Sequence, residues 1–281
     1  MEDIKQYKKK GYLNTNFQFF HIKDETEQTF DYHFHEFDKI VFFYSGNVTY
    51  LIEGKSYRLE PGDILLVHHH DIHKPVITKG SIYERVVFYI RPEFIKMYHD
   101  EKQDLSRCFQ ITKKKKHHLI RLEKQARERM SGIVKELEEA VAGDEFAKDL
   151  YSNTLFTQFM IHLNRLVIND QVEDSNTSVI YDKKMEELLS YINENLKSEL
   201  SVEHLANLSF YSKYYLMHKF KDVTGYTLYN YIQKKRLLLA SELIRQGMPV
   251  TKAAYECGFQ DYSTFLRAFK KMFHMSPSDI H

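Results

Sequence analysis

The chain has 281 residues, 43% of them hydrophobic, and carries 40 Lys+Arg against 39 Asp+Glu. That length accommodates about two domains with cores of their own, and a net charge of +1 excludes a uniformly polycationic protein. The two cysteines, Cys108 and Cys257, belong to no Cys-x-x-Cys pair, which argues against a structural zinc site or a disulfide scaffold. The opening MEDIKQYKKKGY lacks the apolar core of a signal sequence, and no apolar run approaches the roughly 20 residues that cross a bilayer. A soluble cytoplasmic protein with no membrane partner is expected.

Residues from about 15 to 90 read as strands: FQFFHI, KIVFFY, VTYLI, SYRL, DILLV and YERVVFYI, punctuated by Gly46-Asn47, Glu53-Gly54 and Pro61-Gly62. Many short strands at close spacing predict a sandwich or barrel. Tyr32-His33-Phe34-His35 leads into one strand, and alternation puts His33 and His35 on one face. Gly46 follows, then Pro61-Gly62-Asp63 and His73. This pattern resembles the cupin barrel. The resemblance implies a cupin- or jelly-roll-like β-barrel over residues 1–110, in which His33, His35 and His73 could form a three-histidine metal site. Enzymatic cupins usually supply a Glu where this chain has Lys39; a cation there repels a metal and offers no anionic ligand. The expectation is therefore no bound metal, no cofactor and no enzyme, with a metal-dependent cupin enzyme as the alternative. Two other readings stay open. The histidines are ordinary polar residues at the barrel mouth, or His33, His35, Lys39, Tyr44, Tyr50 and His73 form a pocket for a small effector. Sugars suit His and Tyr; an anion suits Lys39. The run His68-His69-His70 reads as solvent-facing, beyond its strand.

Lys113–Lys116 reads as a solvated loop. From about 118 to 170 the period changes to helical. Leu119, Leu122, Ala126, Met130, Ile133, Leu137 and Val141 form one stripe, and Leu150, Leu155, Phe159, Leu163 and Leu166 a second. The region 111–170 is expected to link the domains and, through helices in 118–170, to pair two chains as a homodimer. Residues 171–180 are polar, without period, and read as a linker.

Residues 181–281 read as an all-α domain built on a repeat. VEHLANLSFYSKYYLMHKF (202–220) and VTKAAYECGFQDYSTFLRAF (250–269) align Ala206 with Ala254, Phe210 with Phe259, Leu216 with Phe265, and Phe220 with Phe269. Each copy reads as a helix, a tight turn and a second helix, the form that sets one helix in a DNA groove. Ser212 and Asp261 are placed as N-caps, and Gly225 ends a helix. Lys213, Tyr214, Met217, His218 and Lys221 face outward in the first copy. Tyr262, Ser263, Leu266, Arg267 and Lys270 do so in the second. Between them lies an amphipathic helix of about 28 Å, long enough to hold two recognition helices about one DNA turn apart.

These residues carry a second resemblance. Leu205-Ala206, Ser212, Phe220-Lys221, Gly225, the Arg236…Ala240 spacing, Gly258-Phe259, Phe265–Lys271 and Ser276-Pro277 resemble the DNA-binding domain of AraC/XylS-family transcription regulators, over about Lys184–Ile280. The resemblance implies an α+β multidomain chain: a sensor barrel, linker helices, and two helix-turn-helix units. It implies double-stranded promoter DNA as a partner, and RNA polymerase where the protein activates. It places Ser212, Lys213, Tyr214, Met217, His218, Lys221, Tyr262, Ser263, Arg267 and Lys270 at the DNA. Met217 and His218 stand where polar or Arg readers are more usual, so the first unit is expected to read by apolar contact or shape. The chain stops at His281, so the last helix is expected to be short. A regulator that senses no ligand is a further alternative.

Overall fold

A computed structural model describes residues 17–24, 30–91, 94–95, 103–169 and 179–280, and the chain divides near Ile180 into two compact units. Most of the expected linker, residues 171–178, lies outside the described residues.

The first unit is built around a strand that is apolar on both faces. Strand β2 (Asp38–Ser45) lies between β7 (Tyr83–Ile90) and β5 (Ile64–Val67), in a sheet ordered β1-β7-β2-β5-β8, with β1 at Phe17–Asp24 and β8 at Leu119–Ile120. The pairs are antiparallel, with Lys39 opposite Val67 on one side and Tyr89 on the other. A second sheet runs through β6 (His73–Ile77), β3 (Val48–Ile52) and β4 (Lys55–Arg58). Because side chains alternate, Val41 and Phe43 pack with Val48, Tyr50, Ile52, Leu65 and Val67 in one core. Ile40 and Phe42 join Phe88, Met130, Leu137, Phe156 and Phe159 in another, formed with the helices. The strand layer is thus two sheets and not a closed barrel.

β3 and β7 have the bounds of the expected runs VTYLI and YERVVFYI, and the other expected strands shift by one or two residues. β6 escapes a sequence reading because it contains Pro75, which lacks the N–H that a central strand needs; β6 is an edge strand. The tetralysine is not a loop: Lys113–Lys115 form the last turn of α1 (Arg107–Lys115), where positive charge favours the helix C-terminus. Leu119 and Leu122 are not helical either. Leu119 pairs with Leu65 in the sheet, and α2 begins only at Lys124 and ends at Ala142. On α2, Met130, Ile133, Val134 and Leu137 are buried against α3 (Lys148–Ile168) and the sheet. Leu150, expected on the apolar side of α3, is 69% exposed.

Gly46 makes the β2–β3 turn at φ +132°, and a Cβ there would lie 2.3 Å from the Ile82 carbonyl oxygen, so only glycine fits.

The second unit is helical: α4 (Lys183–Glu194), α5 (Val202–Ser209), α6 (Lys213–Thr224), α7 (Leu228–Arg245), α8 (Val250–Glu256), α9 (Tyr262–Phe273) and a short 3-10 turn at Pro277–Asp279.

Replacing Leu137, fully buried between α2 and α3, by Ala should cost about 2–5 kcal/mol of first-unit stability. Phe146→Ala, at a fully exposed side chain, should fall within about 0.5 kcal/mol of wild type. Urea unfolding measures both, and equal losses would contradict the packing described.

Candidate DNA-binding face and sensor pocket

The two helix pairs are defined by their caps. Ser201 accepts from the His204 backbone N–H and Ser212 from that of Tyr215, each at 3.2 Å. In the second copy Asp261 accepts from the Thr264 N–H at 2.6 Å. The Thr264 hydroxyl and then its N–H hold the Asp261 carboxyl below its ordinary range. The first turn passes through Phe210 in the left-handed region (φ 56°), the second through Gly258 (φ +84°). Leu216, Phe220, Phe265 and Phe269 are completely buried, so these repeated residues are core, whereas Phe210, aligned with the buried Phe259, is exposed. Phe220 meets Tyr231 of α7 edge-on at 5.2 Å, and Phe265 lies between Phe259 and Phe269.

Lys213, Tyr214, Met217, His218 and Lys221 are exposed on α6, and Ser263, Arg267 and Lys270 on α9. Tyr262 differs from expectation. It is half-buried against Phe265, because the first turn of α9 rotates it toward the core. Ser212 is also less available than its position implies, since its hydroxyl oxygen serves the cap. The exposed faces differ in chemistry. On α6, Lys213 pairs with Glu203 and Lys219 with Asp182 at 3.1 Å. His218 donates from Nδ1 to the Tyr214 carbonyl at 2.9 Å, and its ring lies 4.1 Å from that of Tyr214. In that tautomer its Nε2 is an acceptor. Two further aromatics extend this face and were missed from sequence, Phe210 (86% exposed) and Tyr215. An apolar residue at a turn and one in the first turn after an N-cap carry no periodic signal that marks them as surface.

In the first unit, two loops are laced together ahead of β2 and β6. His33 and His73 exchange backbone hydrogen bonds at 3.0 and 2.9 Å, and the His70 N–H donates to the His35 carbonyl at 2.8 Å. The Asp38 carboxylate accepts from the His69 backbone and ring. This pairing brings together His33, His35 and His73, with ring centroids 4.4–5.1 Å apart. Lys39, inward on β2, donates to the Tyr50 hydroxyl at 3.1 Å, and Tyr50 stacks on His73. Five of the six expected pocket residues are therefore grouped. Tyr44 is not among them: it follows Phe42 in the alternation, faces the helices, and contacts the rings of His21 and Phe42. Burial first, then Glu138 and Glu84, push its phenol up to about 12.

The histidine run is not solvent-facing as expected. His68 is buried; its Nδ1 meets Asp71 at 2.9 Å, and its Nε2 donates to the Phe109 carbonyl at 3.1 Å. It fastens the end of β5 to α1. The signal available in the sequence was Asp71, three residues on.

The model of the AraC-like ligand binding domain matches residues 18–160, and that of a helix-turn-helix domain matches 205–281. The chain belongs to the AraC family of transcription regulators. It is a DNA-binding regulator with a ligand-binding domain. The probable transcriptional regulator LumQ of Photobacterium leiognathi is 28% identical over 248 residues, covering 88% of this chain and 90% of LumQ. The transcriptional activator RhaS of Enterobacter sp. (strain 638) is 25% identical, covering 90% and 88%. The regulatory protein SoxS of Escherichia coli K12 is 37% identical over 100 residues, which is 35% of this chain and 94% of SoxS. Among the described residues no helix is long and apolar enough to cross a membrane.

Proposed function

We propose that this AraC-family regulator is a cytoplasmic, non-enzymatic switch, controlled by a small polar effector held among His33, His35, Lys39, Tyr50 and His73. The observation that carries the reading is the Lys39 ammonium. It is only 7% exposed and hydrogen-bonds to a phenol. A buried cation paired with a neutral group is costly, and an anionic effector would offset that cost. The pocket therefore favours a small acid over an uncharged sugar. A thermal-shift screen tests this, because a ligand of the folded state raises its apparent stability. Small carboxylates or phosphorylated metabolites should raise the wild-type Tm and leave Lys39→Met unmoved. A shift by neutral sugars alone, equal in both proteins, would remove the anionic reading.

On DNA, α9 is the better equipped for hydrogen-bonded readout, through Arg267 and Ser263. The face of α6, with Tyr214 and Met217, suits apolar contact with thymine methyls, and the outward Nε2 of His218 suits an exocyclic amine. Promoter binding should weaken steeply with salt. Arg267→Ala should cost about 1–3 kcal/mol and relax preference at one base position. Unchanged affinity and unchanged selected sequences would take Arg267 off the reading face.

The partners in this reading are double-stranded promoter DNA, the effector and a second copy, with RNA polymerase added where the protein activates. The dimer contact belongs on α3 and not on the buried stripe of α2. Leu150, Ile161 and Ile168 are exposed on α3, and Leu150, Thr154, Thr157, Ile161, Arg165 and Ile168 recur at helical spacing on one face. Ile161→Glu should convert a dimer to a monomer in sedimentation velocity while secondary structure is kept; a variant that stays dimeric would move the contact elsewhere.

A further inference from the structure

The two helix-turn-helix copies share α7, and each packs on a different stretch of it. Phe220 of the first copy meets Tyr231, whereas Ala254, Phe265 and Phe269 of the second share a core with Leu237, Ala240 and Ile244. Arg236 stands between the two stretches, and its side chain reaches both copies. Its Nε donates to the Leu196 carbonyl at 2.9 Å and its Nη2 to the Ser198 carbonyl at 2.7 Å. Those carbonyls belong to the loop that leads from α4 into α5, the opening helix of the first copy. A hydrogen bond from the Ser198 N–H to the Asn195 carbonyl, at 2.9 Å, keeps the loop turned toward the guanidinium. The second copy closes on the same group. A Cβ on Gly258, in the turn between α8 and α9, would lie 2.9 Å from the Arg236 Cζ and 2.6 Å from the Leu196 carbonyl oxygen. Glycine therefore serves this turn through close approach as well as through its positive φ. Lys197 of the loop also reaches Glu256 at 2.7 Å, but both side chains are well exposed and such a pair holds little. Beside these contacts lies an open cavity of about 850 Å3, lined by Leu200, Val202, Tyr229, Ile232, Phe259 and Thr264, so packing leaves that side unfilled. A stiff α7 sets the distance between the copies, while the tilt of each about that helix depends on side-chain contacts.

We propose that Arg236 is a positioning residue for DNA recognition: it brackets the α4–α5 loop against the Gly258 turn and so fixes the spacing and phase at which α6 and α9 meet successive stretches of one duplex. The inference rests on the reading of α6 and α9 as the helices that face DNA. Arg236 acts through the two turns that it holds. The planar fork suits this task, because two N–H groups of one rigid plane hold two carbonyls at once, which a lysine ammonium on a flexible stem does not reproduce. The consequence is selectivity for spacing. Each base pair inserted between the two stretches turns the second by about 34° and moves it by about 3.4 Å. A bracketed pair of reading helices tolerates little of that change, and a hinged pair tolerates more.

The test uses the full-length protein and duplexes that wild type selects from a random pool. The stretch read by α9 is the one at which Arg267→Ala relaxes the selected sequence, and that read by α6 the one at which Tyr214→Ala/Met217→Ala does. One or two base pairs are then added or removed between them, and Kd is measured for each duplex. Wild type should prefer one spacing by about tenfold or more, since rigid linkage makes the second contact intramolecular only where the geometry allows it. Arg236→Met should bind the best spacing at least tenfold more weakly and the altered spacings nearly as wild type does, with unchanged circular dichroism. Arg236→Lys keeps the charge and should lose the preference as well; it takes the place of Arg236→Met if that variant does not fold. Lys197→Gln should keep the wild-type profile. An equal loss at every spacing in Arg236→Met would mark a general weakening and overturn the proposal. So would a wild-type profile in Arg236→Lys, a loss in Lys197→Gln equal to that in Arg236→Met, or a wild type indifferent to spacing. If neither the α6 nor the α9 variant alters the selected sequence, the reading of those helices falls and the bracket's role in recognition falls with it. If both alter it and replacing Arg236 leaves the profile unmoved, only the bracket falls.

Discussion

Strand β2 has no solvent side, and the first unit is organised by that constraint. A strand covered on both faces sends alternate residues into different cores, and its register cannot slip without exchanging them. Val41 and Phe43 go between the sheets; Ile40 and Phe42 go under the helices. Lys39 is carried with the first set. Its ammonium enters an apolar layer, where it reaches the Tyr50 hydroxyl. Tyr44 is carried with the second set, away from the proposed pocket. The polar centre of the sensor therefore follows from where the apolar residues must go. The loops at 33–38 and 68–73 add the histidines, because their backbones satisfy each other and the Asp38 carboxylate holds His69.

The second unit separates scaffold from reading surface by the same logic. Phe220 and Phe269 are interchangeable in role, as are Leu216 and Phe265, since each fills the space under a capped helix. The outward positions are free of that requirement and diverge. On α6 the lysines are partly engaged with Glu203 and Asp182, and the remaining face is Tyr, Met and His. Exposed pairs of this kind hold little free energy, so DNA phosphates can compete for the same lysines. In the proposed reading, the unlike faces give the two units unlike base preferences on one scaffold.

What was legible in the sequence depended on period. The apolar β2 and β3 runs, the α7 amphipathy and the doubled helix pair are strong local signals, and each is found close to where it was expected. The misreadings fall where period and tertiary context disagree. Leu119 and Leu122 continue a helical spacing, yet Leu119 completes a sheet by pairing with Leu65. Leu150 fits the apolar stripe of α3 but lies at its exposed N-terminal end. His68 looked like part of a polar run because its partners, Phe109 and Thr112, are about 40 residues away and local pattern cannot show them. Of the sensor group, the residue types were legible and the backbone acceptors on their rings were not, since those depend on loop conformation.

A ligand in the sensor alters DNA binding only to the extent that it prefers one arrangement of the protein over another. The laced loops offer a physical source for such preference. His35 and His70, His33 and His73, and Asp38 and His69 are joined by hydrogen bonds that hold the proposed pocket residues in one register. His68 continues the connection to α1 through the Phe109 carbonyl and the Thr112 hydroxyl. A ligand that draws the histidine rings together acts on these loops, whose other end is fixed to a helix. One that meets only Lys39 and Tyr50 acts on β2 and β3, which are buried strands with little room to move. Ligands engaging the histidines therefore have the larger mechanical purchase on the unit. In the proposed reading, the Lys39 ammonium supplies selectivity for charge more than it supplies movement.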